Sequence, residues 1–247
     1  MDASISAAQL LQSLRASEPP LIVDVRRKER FFESPFLLKG ALRRDPEQVL
    51  KWKETLPRAA RVVVYCVHGH EVSQNVAKAL GAQYLEGGIE AWRTSDGELF
   101  QKPQNAATRW VTRERPKIDR IACPWLVRRF VDPDAEFLYV PAGEVKKVAA
   151  EKTATAYDIP DVEFGHQGEL CSFDAFLAKF RLNDPALQRL ALIVRGADTS
   201  RLDLAPQAPG LLAISQGLSR NFVDDHEMLA HGMVVYDALY AWCRQQQ

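Results

Sequence analysis

Apolar positions in the first hundred residues fall into short blocks separated by turn signals. Ser6-Ala-Ala-Gln9 has the form of a capping box, and Leu10, Leu11 and Leu14 supply one apolar helix face behind it. Pro19-Pro20 ends that helix. Leu21-Ile-Val-Asp-Val25 and Val62-Val-Val-Tyr65 are β-branched runs with the length and apolarity of buried strands, and Ala82-Gln-Tyr-Leu85 is a third candidate. Residues 26–61 between the first two are mixed and interrupted by Pro35, Pro46 and Pro57. A helical stretch runs from Gln74 to Leu80, and Gly87-Gly88 breaks the chain before a short helix around Ile89–Trp92. Strands alternating with helices predict an α/β fold, a doubly wound parallel sheet with helices on both faces.

The second half has a different rhythm. The pattern predicts a helix near Pro124–Val131, a strand over Glu136-Phe-Leu-Tyr-Val140, and a helix capped by Ser172 with Phe173, Phe176, Leu177 and Phe180 on one face. Asp184-Pro185 opens another helix carrying Leu187, Leu190, Ala191 and Val194, and a last one covers roughly 225–243. This half reads as mainly α with a little β. Residues 98–115 show little periodicity and many polar positions, so a linker is expected there, between a domain over 1–97 and a second over 116–247. Phe100 and Trp110 within it are costly to leave exposed, so it should pack on a domain.

With 247 residues, the chain is long enough for two domains. Apolar residues at 47% and charged residues at 26% are ordinary for globular proteins. Lys plus Arg equals Asp plus Glu at 32 each, so bulk charge gives no support for a nucleic-acid or membrane-surface partner. The four cysteines, Cys66, Cys123, Cys171 and Cys243, form no C-x-x-C pair, which disfavours a cysteine-rich zinc module or a disulfide scaffold. The opening MDASISAAQLLQSL lacks the basic-then-apolar form of a signal peptide, and no run reaches the roughly 18 apolar residues of a membrane span. A cytoplasmic protein is expected.

The chemistry concentrates at Cys66-Val-His-Gly-His-Glu-Val-Ser73, between a buried strand and a helix. Strand, tight loop and helix start together make an anion cradle. A cysteine at the strand end can attack a sulfane sulfur donor such as thiosulfate and carry the sulfur as a persulfide. A lone cysteine after a buried strand is more often core filler, so the neighbouring motifs decide. His68 and His70 read as loop solvation unless protonated beside Cys66.

Those motifs are Asp24-Val-Arg26 after the first strand, Val64-Tyr-Cys66-Val-His-Gly69 at the loop, and Leu85-Glu-Gly-Gly-Ile-Glu-Ala-Trp92. Together they make residues 5–95 resemble the rhodanese family. The resemblance implies a doubly wound sheet, Cys66 as catalytic persulfide carrier, Val67, His68, Gly69, His70, Glu71 and Val72 as active-site loop, and Asp24 and Arg26 as supporting ions. Many rhodaneses carry Arg and Ser where this chain has Glu71 and Val72, with Ser73 one residue late. A carboxylate near the sulfur disfavours the thiolate, so the donor stays open between thiosulfate and another persulfide. Cysteine phosphatases and arsenate reductases need an arginine six positions after the cysteine; position 72 is Val72.

Residues 116–242 resemble the C-terminal domain of ChrB-type chromate-resistance proteins. The matching stretches are Pro116-Lys-Ile-Asp-Arg-Ile-Ala-Cys-Pro-Trp125, Arg128-Arg-Phe-Val-Asp-Pro133, Phe164-Gly-His-Gln-Gly-Glu-Leu-Cys-Ser-Phe-Asp174, Arg195-Gly-Ala-Asp198 and Met233–Trp242. Candidate residues here are Arg120, Cys123, Cys171, Asp174 and Asp198. His166, Glu169, His226, Glu227 and His231 offer a mixed N/O set for a divalent metal; the alternative is a capped helix start with favourable acidic residues. Arg120, Arg128 and Arg129 either gather an oxyanion such as chromate or pair with local carboxylates. The leading expectation is a sulfurtransferase with a chromate-stress role. It would use a small sulfur donor and a thiol acceptor and need no cofactor for sulfur transfer. The alternatives are a non-enzymatic oxyanion or metal sensor and, more weakly, a thiol-based chromate reductase in which Cys123 or Cys171 resolves Cys66. Oligomeric state is not legible in the sequence.

Overall fold

The computed structural model describes residues 3–16, 18–56, 61–102 and 109–246. Pro57 and residues 103–108 of the expected linker lie outside them. The chain divides into two compact units, Met1–Gln104 with Arg244–Gln247, and Asn105–Cys243.

In chain order the first unit holds β1 (Ser4–Ile5), α1 (Ala7–Leu14), β2 (Leu21–Asp24), α2 (Lys28–Glu33), β3 (Phe36–Leu38), β4 (Leu42–Arg43), α3 (Val49–Trp52), β5 (Val62–Tyr65), α4 (Glu71–Leu80), β6 (Gln83–Leu85), α5 (Gly88–Arg93) and β7 (Leu99–Gln101). Among the described residues these form a parallel sheet in the order β1-β6-β5-β2-β4 and an antiparallel pair, β3-β7. The capping box forms as expected. Gln9 donates its backbone N–H to Ser6 Oγ at 3.3 Å, and Ser6 donates to Gln9 Oε1 at 2.9 Å. The continuous apolar runs of β2 and β5 are the inner strands, covered on both faces as parallel sheets require. The chain leaves β2 toward β4 on one side and β5 toward β6 on the other. The carboxyl ends of β2 and β5 therefore flank a topological switch point, where open α/β sheets bind ligands.

The second unit holds β8 (Arg109–Arg113), α6 (Asp119–Leu126), β9 (Glu136–Val140), α7 (Val145–Glu151), β10 (Thr155–Ala156), α8 (Ser172–Lys179), α9 (Pro185–Asp198), α10 (Ala208–Asn221) and α11 (Asp225–Gln245). Three parallel strands in the order β10-β8-β9 lie among the helices. Trp110, 1% exposed, is surrounded by the rings of Tyr157, Phe164, Phe176 and Phe180. Asp184 caps α9 by accepting from Ala186 N at 2.7 Å, with Pro185 at the first position, as expected. Among the described residues no helix is long and apolar enough to cross a membrane.

Three expectations are corrected. The stretch 98–115 is no plain linker, because it supplies β7 and the central strand β8. Only the inner residues of β8 are buried and arginines close both ends, so its short apolar run is hidden in a polar sequence. The helix expected from Pro124 starts at Asp119 and carries Pro124 inside it. A proline there leaves the carbonyl four residues back without its helical donor. That carbonyl, of Arg120, instead accepts from Tyr157 Oη at 3.3 Å and Tyr139 Oη at 3.5 Å. Finally, Cys171 rather than Ser172 is the cap of α8, and the Ser172 hydroxyl donates to Asp158 at 2.9 Å.

The inner strands of the first unit are tied together by one buried carboxylate. Asp24, fully buried, accepts from Arg26 Nε at 3.0 Å, Arg26 Nη2 at 2.5 Å, the Arg26 backbone N–H at 3.0 Å and Tyr65 Oη at 2.8 Å. Burial alone would raise its pKa, but Arg26 and Arg43 outweigh burial and hold it below the ordinary value. The stability of this charge is therefore present at neutral pH and is lost as pH falls through the depressed folded pKa. Asp24→Asn leaves Arg26 buried and unpaired. It should cost about 3–5 kcal/mol, read as a lower urea midpoint at pH 7, with the difference from wild type shrinking as pH drops below about 4.

Candidate functional site

Cys66 stands at the carboxyl end of β5, 6% exposed, with α4 starting five residues later. Two close approaches shape its loop. Gly69 adopts φ +70°, and a Cβ there would lie 2.5 Å from the Leu85 carbonyl oxygen. Gly88 adopts φ +58°, and a Cβ there would lie 2.4 Å from the Cys66 carbonyl oxygen. Only glycine fits both positions. In exchange, the start of α5 holds the loop, with Ile89 N donating to Cys66 O at 3.0 Å and Glu90 N to Val67 O at 3.2 Å.

Ser73 Oγ lies 3.1 Å from Cys66 Sγ and donates to the His70 carbonyl at 3.1 Å. Its side chain, completely buried, turns back from the first turn of α4 toward the sulfur. A serine one position late in the motif thus still reaches the cysteine sulfur.

Cys66 opens on a cleft of about 510 Å³ lined by Arg26, Arg27, Glu29, Arg30, Glu33, Cys66, Val67, His68, His70, Glu71 and Val72. Arg26 is bound to Asp24 and to the Phe36 carbonyl at 2.9 Å, while its buried Nη1 has no hydrogen-bond partner. Asp24 does not line the cleft. It supports the loop at one remove, through Tyr65, the residue before Cys66. Arg27 and Arg30 were not singled out in the sequence. They lie around the start of α2, in a stretch that reads as irregular, and line the same cleft as the cysteine because β2 and β5 are neighbours. Arg30 also pairs with Glu33 at 2.8 Å.

A second cluster lies wholly within the second unit. His166 Nε2 is 3.3 Å from Asp119 Oδ2, 3.3 Å from Asp158 Oδ1 and 3.2 Å from Asp198 Oδ2. Asp119 begins α6, Asp198 ends α9, and His166 comes from the loop before α8. Hydrogen bonds donated by His166 to Asp119 and Asp158 push its pKa up to about 10; burial and the Asp119 charge push Asp198 up to about 8. Asp158 stays below the ordinary carboxylate range despite burial, because His166, Arg113 and Ser172 all bond to it. Beside this cluster Asp174 forms a two-point pair with Arg195 at 2.9 and 2.7 Å and accepts from Cys171 N at 3.0 Å and Cys171 Sγ at 3.4 Å. Cys123 and Cys171 are both fully buried free thiols, and burial pushes their pKa values up.

The metal set expected from spacing does not assemble. Glu169 is 90% exposed at its side chain and lies 3.8 Å from Arg201. His231 stacks on Phe222 at 4.2 Å, His226 lies against Tyr139, and Glu227 is exposed on α11. Among the described residues, the group with metal-site proximity is Asp119, His166 and Asp198. The arginines read either as an oxyanion site or as partners of local carboxylates are bound internally. Arg120 pairs with Asp158 at 3.1 Å, Arg129 pairs with Asp237 at 3.0 Å, and Arg128 donates to Ala135 O at 3.2 Å. Arg120 and Arg129 do pair with carboxylates, but with ones remote in sequence rather than the local ones.

Residues 6–95 match the rhodanese-like domain, and residues 110–243 match the family described as ChrB, C-terminal domain. The second match spans more than half of the chain. The chain belongs to the ChrB C-terminal domain family.

A curated relative, Protein ChrB of Cupriavidus metallidurans, is 33% identical over 138 residues, 56% of this chain. The aligned part is 41% of that relative, so the chain spans about two fifths of its length. A rhodanese-related protein from Thermoplasma volcanium matches 40% of this chain and 99% of its own at 21% identity, with a TM-score of 0.36. A rhodanese-like domain protein from Staphylococcus aureus matches 39% and 97% at 24% identity, with a TM-score of 0.34.

The rhodanese-like match lies inside the first unit and the ChrB domain inside the second. Within the ChrB domain three separated stretches meet, around Asp119, around His166 to Asp174, and around Arg195 to Asp198. In the rhodanese-like domain the glycine constraint gives a direct check. Gly88→Ala forces a side chain against the Cys66 carbonyl at an unfavourable φ. It should cost about 1–3 kcal/mol in urea unfolding and change the rate at which iodoacetamide alkylates Cys66 severalfold.

Proposed function

We propose that the rhodanese-like domain transfers sulfane sulfur through a persulfide on Cys66, in the service of the chromate-stress role its ChrB domain implies. The observation that carries this reading is a near-buried cysteine at a sheet switch point, opening on a cleft with three arginines and two histidines. The Cys66 thiolate attacks the outer sulfur of the donor. With thiosulfate the donor S–S bond breaks and sulfite leaves with the electron pair. With an organic persulfide the leaving group is a thiolate. A thiol or cyanide acceptor then takes the outer sulfur and returns Cys66 as thiolate, so there is no net oxidation. Ser73 supports both forms of the nucleophile. Its oxygen accepts from the thiol, and its hydroxyl can leave the His70 carbonyl to donate to the thiolate.

The cleft sets Glu29, Glu33 and Glu71 against Arg26, Arg27 and Arg30. This mixed lining suits a donor bearing both ammonium and carboxylate groups, such as glutathione persulfide, better than a compact dianion. Sulfur transfer to cyanide should be faster with glutathione persulfide than with thiosulfate, and Cys66→Ala should abolish both. Glu71→Arg should raise kcat/KM for thiosulfate about tenfold, or ~1.4 kcal/mol, and leave the persulfide rate within a factor of a few. Equal inactivity of wild type and Cys66→Ala with every donor would sink the enzyme reading. Oxyanion binding without turnover would move the assignment to a non-enzymatic sensor.

A further inference from the structure

We infer that the ChrB domain carries a divalent transition-metal site made by Asp119, His166 and Asp198. The three residues come from the first residue of α6, the loop before α8 and the last residue of α9, and each offers one donor atom within 4.8 Å of the others.

Hydrogen bonding alone does not account for this arrangement. An imidazole Nε2 carries at most one proton, yet three carboxylate oxygens stand 3.2–3.3 Å from His166 Nε2. Donor atoms held at about 2.0–2.2 Å from a first-row cation stand roughly 3.0–3.4 Å from one another in tetrahedral or octahedral shells. The spacings from His166 Nε2 to Asp119 and to Asp198 match two such edges.

Charge balance points the same way independently. Asp158 is already neutralised by Arg113 at 2.8 Å and Arg120 at 3.1 Å, and Asp174 by Arg195. Among the described residues neither Asp119 nor Asp198 has a lysine or arginine partner, although Asp119 is 1% exposed. Asp198 also sits at the carboxyl end of a 14-residue helix, where the dipole disfavours an anion. A divalent cation, taking the place of the proton on His166 Nε2, cancels both carboxylates. Ser172 N, donating to Asp119 Oδ2 at 3.1 Å, holds one of the ligands in place.

One nitrogen and two carboxylate oxygens suit Mn²⁺, Fe²⁺ or Zn²⁺ rather than a thiolate-seeking ion. The buried thiols Cys123 and Cys171 lie outside the set. Three protein ligands leave coordination positions for water or an oxyanion, on the side where His166 is 43% exposed.

The test uses the full chain stripped with EDTA and titrated by calorimetry with MnCl2 and, separately, ZnCl2, with thermal melts alongside. At least one metal should bind at one equivalent and raise Tm. Asp198→Asn and His166→Ala should each weaken binding at least tenfold. Asp198→Asn should also keep the metal-free Tm, because the amide preserves the shape of the side chain; this separates ligand loss from misfolding. A His226→Ala, His231→Ala double variant should bind like wild type. The inference is overturned if neither metal binds, or if Asp198→Asn binds as tightly as wild type.

Discussion

The rhodanese-like domain depends on a single buried carboxylate. Asp24 ends β2, and its two oxygens collect donors from its own strand end, from Arg26 and from Tyr65 on the neighbouring strand. Tyr65 in turn accepts from Leu38 N at 3.2 Å, and Arg26 donates to Phe36 O, so β3 is tied to the same point. A buried ion pair adds little net stability over an apolar core. Its effect here is positional. It fixes the end of β5, and therefore the residue that follows, Cys66.

The loop after Cys66 is constrained from the opposite side by α5. Its glycine-bounded start packs directly on the loop backbone and donates to two of its carbonyls. The cysteine thus sits between a charged anchor beneath and a helix start beside it, while its open side faces α2 and the loop histidines. Arg27 and Arg30, from around the start of α2, line the same cleft together with Glu29 and Glu33.

The ChrB domain is organised by a related economy of charge. Each of several buried or half-buried aspartates has a basic partner from a distant segment: Asp237 with Arg129, Asp174 with Arg195, Asp158 with Arg113 and Arg120. Pro124 contributes indirectly, because the carbonyl it frees on Arg120 draws in the hydroxyls of Tyr139 and Tyr157. Asp119 and Asp198, which meet at the imidazole of His166 and among the described residues pair with no arginine or lysine, stand apart from this pattern.

Local pattern fixes what depends on near neighbours. The capping box at Ser6, the runs 21–24 and 62–65, the glycine pair before α5, the strand 136–140 and the Asp184-Pro185 helix start were all legible, because periodicity, propensity and capping act over a few residues. The order of motifs around Cys66 was legible too. Helices α7 and α10 were not foreseen, and β8 was hidden between arginines, because their burial comes from packing partners outside the segment. The candidate ligands show the same division. Spacing along one helix suggested Glu227 and His231, yet a ligand set needs convergence in space. That convergence was decided by how α6, α8 and α9 pack, which brought together an aspartate, a histidine and a second aspartate from three separate stretches. The sequence by itself determined the parallel sheet, the cysteine at its strand end and the two-part chain. The tertiary structure decided which charges meet, because electrostatic pairing follows distance in space and not separation along the chain.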